Sequence, residues 1–163
     1  MNLSIVRHAW AYDRDDGRWP EDLRPLTAEG RERFANMVKA LALRGLAPQL
    51  IATSPLARCQ ETAELLAAGV AKNPKIVRLD ELRPGCNVAS LLRWTMKQAR
   101  EYERIAWVGH APDVDRLCAA MIGGPDALIR FAKGTIASIE FDGPPGLGVG
   151  ELHWLVTAKA LGC

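Results

Sequence analysis

The chain has 163 residues, of which 48% are hydrophobic and 25% charged, and its 21 basic and 19 acidic residues leave a formal net charge of +2. This balance is that of a globular protein of ordinary size, and it excludes a disordered or fibrous chain. The charges are spread along the sequence without a long basic run, which argues against nucleic-acid binding and requires any anion site to be local.

The chain begins with an alternation of short apolar runs and helical patterns. Residues 3–6 are apolar and too few for a helix, which predicts a buried strand. Residues 10–25 are polar and rich in Asp, Gly and Pro, which indicates a long surface loop. A packed helix is predicted between Thr27, which can cap it, and Gly45, which ends it.

The same alternation continues to about residue 121. Ser54-Pro55 is a strong helix start, because serine can accept free amide hydrogens and proline suits the first helical position. Gly123-Gly124-Pro125 is expected to end the last long helix. The predicted elements are, in order, strand 50–53, helix 54–68, strand 76–79, helix 88–102, strand 104–108, helix 114–121 and a short helix at 126–131.

The C-terminal part of the chain has a different pattern. Residues 135–141 and 152–157 are predicted to form an antiparallel pair of strands, separated by the turn-rich segment 142–146. Strands that alternate with helices over the first 120 residues predict a parallel sheet with helices on both faces. The predicted fold is therefore an α/β fold, a three-layer α/β/α sandwich with a mixed edge from the C-terminal strands, in a single domain over 1–163.

The cysteines and the apolar segments predict the compartment. The four cysteines are widely scattered and form no C-x-x-C pair, and a chain of this size does not need disulfides. No run approaches the roughly 20 apolar residues that span a bilayer, and the N-terminus lacks the pattern of a signal peptide. We therefore expect a cytoplasmic protein that does not bind membranes.

Polar side chains follow four of the predicted strands at the points where the strands end. Arg7 and His8 follow the first strand, residues 54–58 the second, Glu81 the third and His110 the fourth. In an open α/β sheet the ligand site lies beyond the carboxyl ends of the strands. We therefore expect these groups to converge on one site.

The chemistry of these groups is coherent. Two arginines and two imidazoles at one place make an anion pocket that suits a phosphoryl group, and the amides of a helix beginning at Ser54 add donors. A neutral imidazole can attack phosphorus, while flanking cations spread the charge of the transition state. The pattern predicts phosphoryl transfer with no metal and no cofactor.

Each residue also has a structural interpretation. A lone histidine at a strand end is more often structural, and Glu81 alone is a loop carboxylate. Metal binding by His8 and His110 is a further alternative, opposed by neighbouring arginines that would repel a cation. Cys59 is interpreted as a helix residue rather than a reactive thiol, and His153 as a strand residue outside the site. Four matched groups at strand ends favour an active site.

In these segments the sequence resembles the histidine phosphatase superfamily, also called the phosphoglycerate mutase-like group. Residues 7–9, Arg-His-Ala, are similar to its R-H-G signature, with alanine in the glycine position. Residues 24–30 resemble the next block, residues 54–63 are similar to S-P-x-x-R-x-x-Q-T-A, and 109–110 resemble the segment of the second histidine. The blocks agree in order and spacing from residue 3 to about 115.

The resemblance implies specific roles in the reaction. His8 would be the phosphorylated nucleophile, while Arg7, Arg58 and His110 would hold the phosphoryl oxygens. Glu81 falls where many members carry the carboxylate that protonates the leaving group. The alternatives to Glu81 as this acid are Asp80, Asp13 and solvent.

Within the superfamily the sequence is most similar to the short SixA-type phosphohistidine phosphatases. Residues 24–27, 81–85 and 134–139 and the chain length are similar to that subgroup. The resemblance implies that Arg24 borders the phosphate pocket, and we expect both Arg24 and Ser54 to bind substrate.

Three functions follow as hypotheses. The first is hydrolysis of phosphohistidine in a phosphotransfer or phosphocarrier protein, since 163 residues leave no room for a large lid over the site. The second is a small-molecule phosphatase for sugar phosphates or nucleotides, with Trp10, Tyr12 and Trp19 as an apolar wall. The third is a non-catalytic phosphate-binding module. It predicts that one of the main site residues has been lost, whereas the sequence has all four: Arg7, His8, Arg58 and His110.

Overall fold

Six strands form one sheet in the computed structural model, which describes residues 1–71, 73–124 and 126–163. The strands are β1 (Asn2–Arg7), β2 (Leu50–Thr53), β3 (Lys75–Arg78), β4 (Arg104–Gly109), β5 (Ile136–Glu140) and β6 (Glu151–Val156). The α-helices are α1 (Ala28–Ala42), α2 (Ala57–Gly69), α3 (Val88–Gln98) and α4 (Asp113–Met121). Short 3-10 helices lie at Arg14–Asp16, Glu21–Leu23, Asp80–Leu82 and Ala158–Leu161.

The strand order is β3-β2-β4-β1-β5-β6, and the first four strands in this order are parallel. β5 runs antiparallel to β1, and β6 runs antiparallel to β5. In the register of the two central strands Arg7 lies opposite Gly109, so His8 and His110 leave neighbouring strands at the same level. The predicted sheet with a mixed C-terminal edge is confirmed.

Apolar side chains of the sheet pack into a separate core on each face. Val6 and Val108 belong to the core under α1 and α2, whereas Ile5 and Trp107 belong to the core under α3 and α4. All four side chains are fully buried, and each such burial stabilises the fold by roughly 1.5–3 kcal/mol. Helices therefore cover both faces, as the sequence predicts.

The loop between β1 and α1 is anchored to the two helices of one face. The Glu61 carboxylate on α2 accepts a hydrogen bond from the Leu26 amide and pairs with Arg31 on α1, each at 2.7 Å. Thr27 caps α1 as predicted, because its side chain accepts from the Gly30 amide. A Cβ at Gly30 would lie 2.3 Å from the Trp10 carbonyl oxygen, so only glycine allows this close approach.

Two predicted helix ends are wrong by three residues or more, and one predicted helix is not formed. α2 begins at Ala57 rather than Ser54, because the backbone is still extended at Leu56. α3 ends at Gln98 rather than at residue 102, where the chain turns to enter β4. Residues 126–131 form no helix, since the backbone amide of Phe131 is bound to Asp115 instead. Pro125, a predicted helix breaker, lies outside the described residues.

Within the described part of the chain, none of the helices combines the length and the apolar character that a bilayer span requires. The cytoplasmic location stays a prediction.

Candidate active site

A cleft of about 440 Å³ lies at the carboxyl ends of the parallel strands and gathers side chains from distant parts of the sequence. A larger cavity of about 850 Å³ involves the opposite, amino ends of β1 and β4, but no histidine lines it. Of the predicted site residues, five line the smaller cleft: Arg7, His8, Arg24, Arg58 and His110. The cleft also contains cations that the sequence did not single out: Arg14, Arg116 and Lys133.

The backbone and ring of His8 are held in one orientation. Its amide donates to the Gly109 carbonyl at 3.0 Å, and its own carbonyl accepts from Gly134 at 3.1 Å. The ring Nδ1 lies 2.8 Å from the Ala9 carbonyl oxygen, which can only accept, so Nδ1 carries the proton and Nε2 keeps the lone pair. Burial, aided by His110 and the arginines, lowers the pKa of His8 to about 3. His8 is therefore a neutral imidazole with a nucleophilic Nε2.

The guanidinium of Arg7 is held by a backbone carbonyl of the segment that precedes β5. Its Nη1 donates to the Phe131 carbonyl at 2.6 Å, in the irregular segment before β5. Its Nε is buried and has no hydrogen-bond partner among the described residues. Burial lowers the pKa of Arg7 while the nearby Asp115 opposes the shift, and a guanidinium stays charged at neutral pH.

Arg58 lies in the first turn of α2 and is only 3% exposed. Its Nη1 donates to the Glu21 carbonyl at 3.0 Å, and its Nη2 lies 2.9 Å from Glu21 Oε1 and 3.3 Å from His110 Nδ1. Its Nε, like that of Arg7, is a buried donor without an acceptor in the described structure. Such donors are rare in folded proteins, and an anion in the cleft would supply acceptors.

His110 connects the cleft to buried polar groups behind it. A guanidinium can only donate, so His110 Nδ1 accepts from Arg58, and Nε2 therefore carries the proton and donates to Ser54 Oγ at 2.9 Å. Burial and Arg58 lower the pKa of His110 to about 3. The ring centroids of His8 and His110 are 5.4 Å apart. Ser54 is fully buried and does not line the cleft, so its contact with substrate stays a prediction.

Glu21 is a polar residue at the site that the sequence analysis missed. Its carboxylate binds three arginines, with Arg24 Nη2 at 3.0 Å, Arg58 Nη2 at 2.9 Å and Arg14 Nε at 3.3 Å. These contacts, Arg24 first, lower the pKa of Glu21 to about 2. No local signal identified Glu21, because it lies in an acidic loop and meets Arg58 only in the folded chain.

Residues 3–120 match the sequence model of the histidine phosphatase superfamily (branch 1). The chain belongs to this superfamily. As a member it is an enzyme of the phosphatase class, and the expected family is confirmed.

Comparisons with individual proteins agree with this assignment. An uncharacterized protein of Picosynechococcus sp. is 34% identical over 126 residues, which cover 76% of this chain and 74% of the relative. A solved structure of the protein histidine phosphatase SixA complexed with tungstate has a TM-score of 0.87 at 23% identity and covers 99% of both chains. The alpha-ribazole phosphatase of Shigella flexneri has a TM-score of 0.70 at 20% identity, over 97% of both chains. At these identities the two structures show the shared fold.

Four carboxylates lie in or near the segments that could supply a proton donor. Glu81 is half-buried in a 3-10 helix and does not line the cleft, so its role as the acid stays a prediction. Asp80 pairs with Arg83, and Asp13 is exposed outside the lining. The carboxylate that does line the cleft, that of Asp113, accepts from the Gly85 amide at 2.7 Å.

Cys59 lies against His110 but is not a reactive thiol. Its Sγ is 3.4 Å from His110 Nε2, and burial raises the pKa of the thiol to about 12. The thiol therefore stays protonated at neutral pH, in agreement with its interpretation as a buried helix residue.

The contact between Ser54 and His110 predicts a modest loss of activity in Ser54→Ala. Removing the hydroxyl leaves His110 Nε2 without its acceptor, so kcat/KM on p-nitrophenyl phosphate should fall about fivefold. The matched control is Ser90→Ala on the surface of α3, which should keep full activity. Equal rates in the two variants would show that Ser54 does not orient His110.

The lowered histidine pKa values predict that acid destabilises the fold. His8 and His110 have pKa values of about 3 in the folded chain, against 6.5 ordinarily. Between these values the unfolded chain binds more protons, so the free energy of unfolding falls as pH falls through this window. Urea unfolding at pH 7 and pH 5 should show this loss, and it should be smaller in His110→Gln. A stability that is unchanged between the two pH values would contradict the prediction.

Proposed function

We propose that this histidine phosphatase removes the phosphoryl group from a phosphohistidine side chain of a partner protein, through a covalent intermediate on His8. The observation that carries the proposal is the state of His8, whose Nδ1 is bound to the Ala9 carbonyl and whose Nε2 is unprotonated. This nucleophile lies in a cleft whose charged lining is almost entirely cationic.

The reaction has two balanced steps. His8 Nε2 forms a bond to phosphorus while the bond between phosphorus and the substrate nitrogen breaks, and the departing imidazole takes up a proton from solvent. The oxygen of a water molecule then bonds to phosphorus while the bond to His8 Nε2 breaks. The water returns a proton to solvent, inorganic phosphate is released, and the neutral ring of His8 is restored. Arg7 and Arg58 stabilise the negative charge on the non-bridging oxygens in both steps.

The layout around the cleft supports a protein as the substrate. The four described α-helices pack on the two faces of the sheet, so loops and short 3-10 helices border the cleft. The high structural similarity to a protein histidine phosphatase adds support, and tungstate in that structure is a tetrahedral oxyanion like phosphate. A phosphotransfer or phosphocarrier protein would present its phosphohistidine to such a cleft.

An aromatic pair in the loop between β1 and α1 favours the second candidate, a small-molecule phosphatase. Tyr12 and Trp19 have ring centroids 4.5 Å apart, and Arg18 lies over both rings, in the same loop as the cleft residue Arg14. These rings could contact a ligand base, as in the hypothesis of an apolar wall. Trp10 does not join them, because it packs against the core beneath Arg33.

The two candidates are separated by kcat/KM on three substrates: a phosphohistidine-bearing phosphotransfer domain, a sugar phosphate and p-nitrophenyl phosphate. The proposal expects a preference for the protein of about 100-fold or more, the order of magnitude that site-specific contacts provide. Equal or higher values for a small substrate would replace it with the second candidate.

Because arginines supply the positive charge of the cleft, a chelator is expected to leave the rate of phosphate release unchanged. Arginines provide the charge that stabilises the phosphoryl group, so turnover with excess EDTA should equal turnover without it. Loss of activity that added zinc restores would favour the metal-binding interpretation of His8 and His110.

A further inference from the structure

Glu21 holds Arg58 by one edge of its guanidinium. The backbone carbonyl of Glu21 accepts from Nη1, and its Oε1 accepts from Nη2. Nη2 also donates to His110 Nδ1, so both of its N–H groups have acceptors, whereas Nε is buried and unpaired among the described residues. Arg58 lines the cleft and Glu21 does not, so Glu21 supports the guanidinium from outside the cleft.

The same carboxylate gathers two further cleft arginines. Arg24 directs Nε and Nη2 at the two oxygens of Glu21, at 3.3 and 3.0 Å, and Arg14 Nε lies 3.3 Å from Oε2. Three guanidiniums at such short distances would repel one another without an anion between them. The carboxylate stays ionised at any working pH, because the arginines lower its pKa to about 2.

We propose that Glu21 is a positioning residue for phosphoryl transfer, which holds the guanidinium of Arg58 so that its unpaired Nε–H has a fixed position for a phosphoryl oxygen. A phosphoryl oxygen binds best to a charged donor whose orientation is fixed, and a guanidinium held at Nη1 and Nη2 provides such a donor at Nε. This inference rests on the proposed function, in which Arg58 binds the phosphoryl oxygens.

A competing interpretation makes the opposite prediction. If the Glu21 carboxylate occupied the phosphate position as a competitor, its removal would tighten anion binding. Neutralising a negative charge near the cleft would also tighten anion binding through electrostatics alone. Weaker phosphate binding in a Glu21 variant therefore reports lost orientation, because both other effects have the opposite sign.

The experiment measures the Kd of inorganic phosphate by calorimetry, together with kcat and KM on p-nitrophenyl phosphate, in Glu21→Ala and Glu21→Gln. The matched control is Asp22→Asn, in the same 3-10 helix, because Asp22 pairs with Arg83 and lies outside the cleft lining. We expect phosphate binding to weaken on the order of tenfold in Glu21→Ala, less in Glu21→Gln and not in Asp22→Asn. We also expect kcat to fall, since Arg58 acts in the transition state as well as in binding.

A double-mutant cycle tests whether Glu21 acts through Arg58. In an Arg58→Lys background, Glu21→Ala should weaken phosphate binding less than about twofold, since effects that share one partner are not additive. Thermal unfolding verifies that each variant is folded. If Glu21→Ala is not folded, Glu21→Gln replaces it in the cycle.

Two outcomes would overturn the inference: phosphate binding in folded Glu21→Ala that is as tight as in the parent or tighter, and full additivity in the cycle. Both outcomes are measured as the Kd of inorganic phosphate, which does not require turnover. An inactive protein with the expected binding pattern would therefore reject the proposed function and leave the role of Glu21 intact.

Discussion

Replacing His8 with alanine is expected to lower kcat by about 10⁴-fold or more and to abolish any acid-labile phosphoenzyme. In the proposed mechanism the variant loses the Nε2 lone pair that attacks phosphorus, whereas Arg7 and Arg58 keep their unpaired Nε donors for phosphate. Steady-state kinetics and acid quenching of the enzyme with a phosphorylated substrate measure the two effects.

The matched control for this variant is His153→Ala. His153 lies on β6 at the sheet edge, where its Nε2 is 3.5 Å from Glu140, and it does not line the cleft. It should therefore retain full activity. Full turnover in His8→Ala, or a phosphoenzyme that persists in it, would reject the covalent mechanism.

Replacing Arg58 with lysine is expected to lower kcat/KM by about 10²–10³-fold. Lysine keeps the positive charge but lacks the planar guanidinium that binds Glu21 and His110 and still has the Nε donor for a phosphoryl oxygen. The loss should appear in kcat as well as in KM, and steady-state kinetics on p-nitrophenyl phosphate measures both.

Arg31→Lys is the control for Arg58→Lys. Arg31 pairs with Glu61 at 2.7 Å and is 43% exposed, so a lysine there should leave kcat/KM within about twofold, as expected for an exposed ion pair. A loss below threefold in Arg58→Lys would show that the charge of Arg58 matters and its guanidinium geometry does not.

The main elements of the fold could be predicted because their signals are local. β2 was predicted at its observed bounds, since three apolar residues and a threonine there precede Ser54-Pro55. The convergence of Arg7, His8, Arg58 and His110 also followed from sequence, because residues at the carboxyl ends of parallel strands meet at one edge.

The wrong predictions concern residues whose conformation is set by distant partners. Ser54 has the local signal of a helix cap, yet its hydroxyl binds His110, a residue 56 positions away. Residues 126–131 lack a helix, and the backbone of Phe131 binds distant side chains instead. Its amide donates to Asp115, and its carbonyl accepts from Arg7. A local signal is weak when a buried long-range hydrogen bond competes with it.

The sequence by itself determined the order of strands and helices and, through motifs that resemble known proteins, the family. It also made His8 the candidate nucleophile, because motifs, periodicity and strand-end position depend on neighbouring residues. Only the tertiary structure decided which ring nitrogen of His8 is unprotonated. It also showed that the hydroxyl of Ser54 accepts a hydrogen bond from His110 and that Glu21 binds three arginines of the cleft. These features depend on distances and burial between segments far apart in the chain. The pKa values and hydrogen bonds that follow from them exist only after folding brings those segments together.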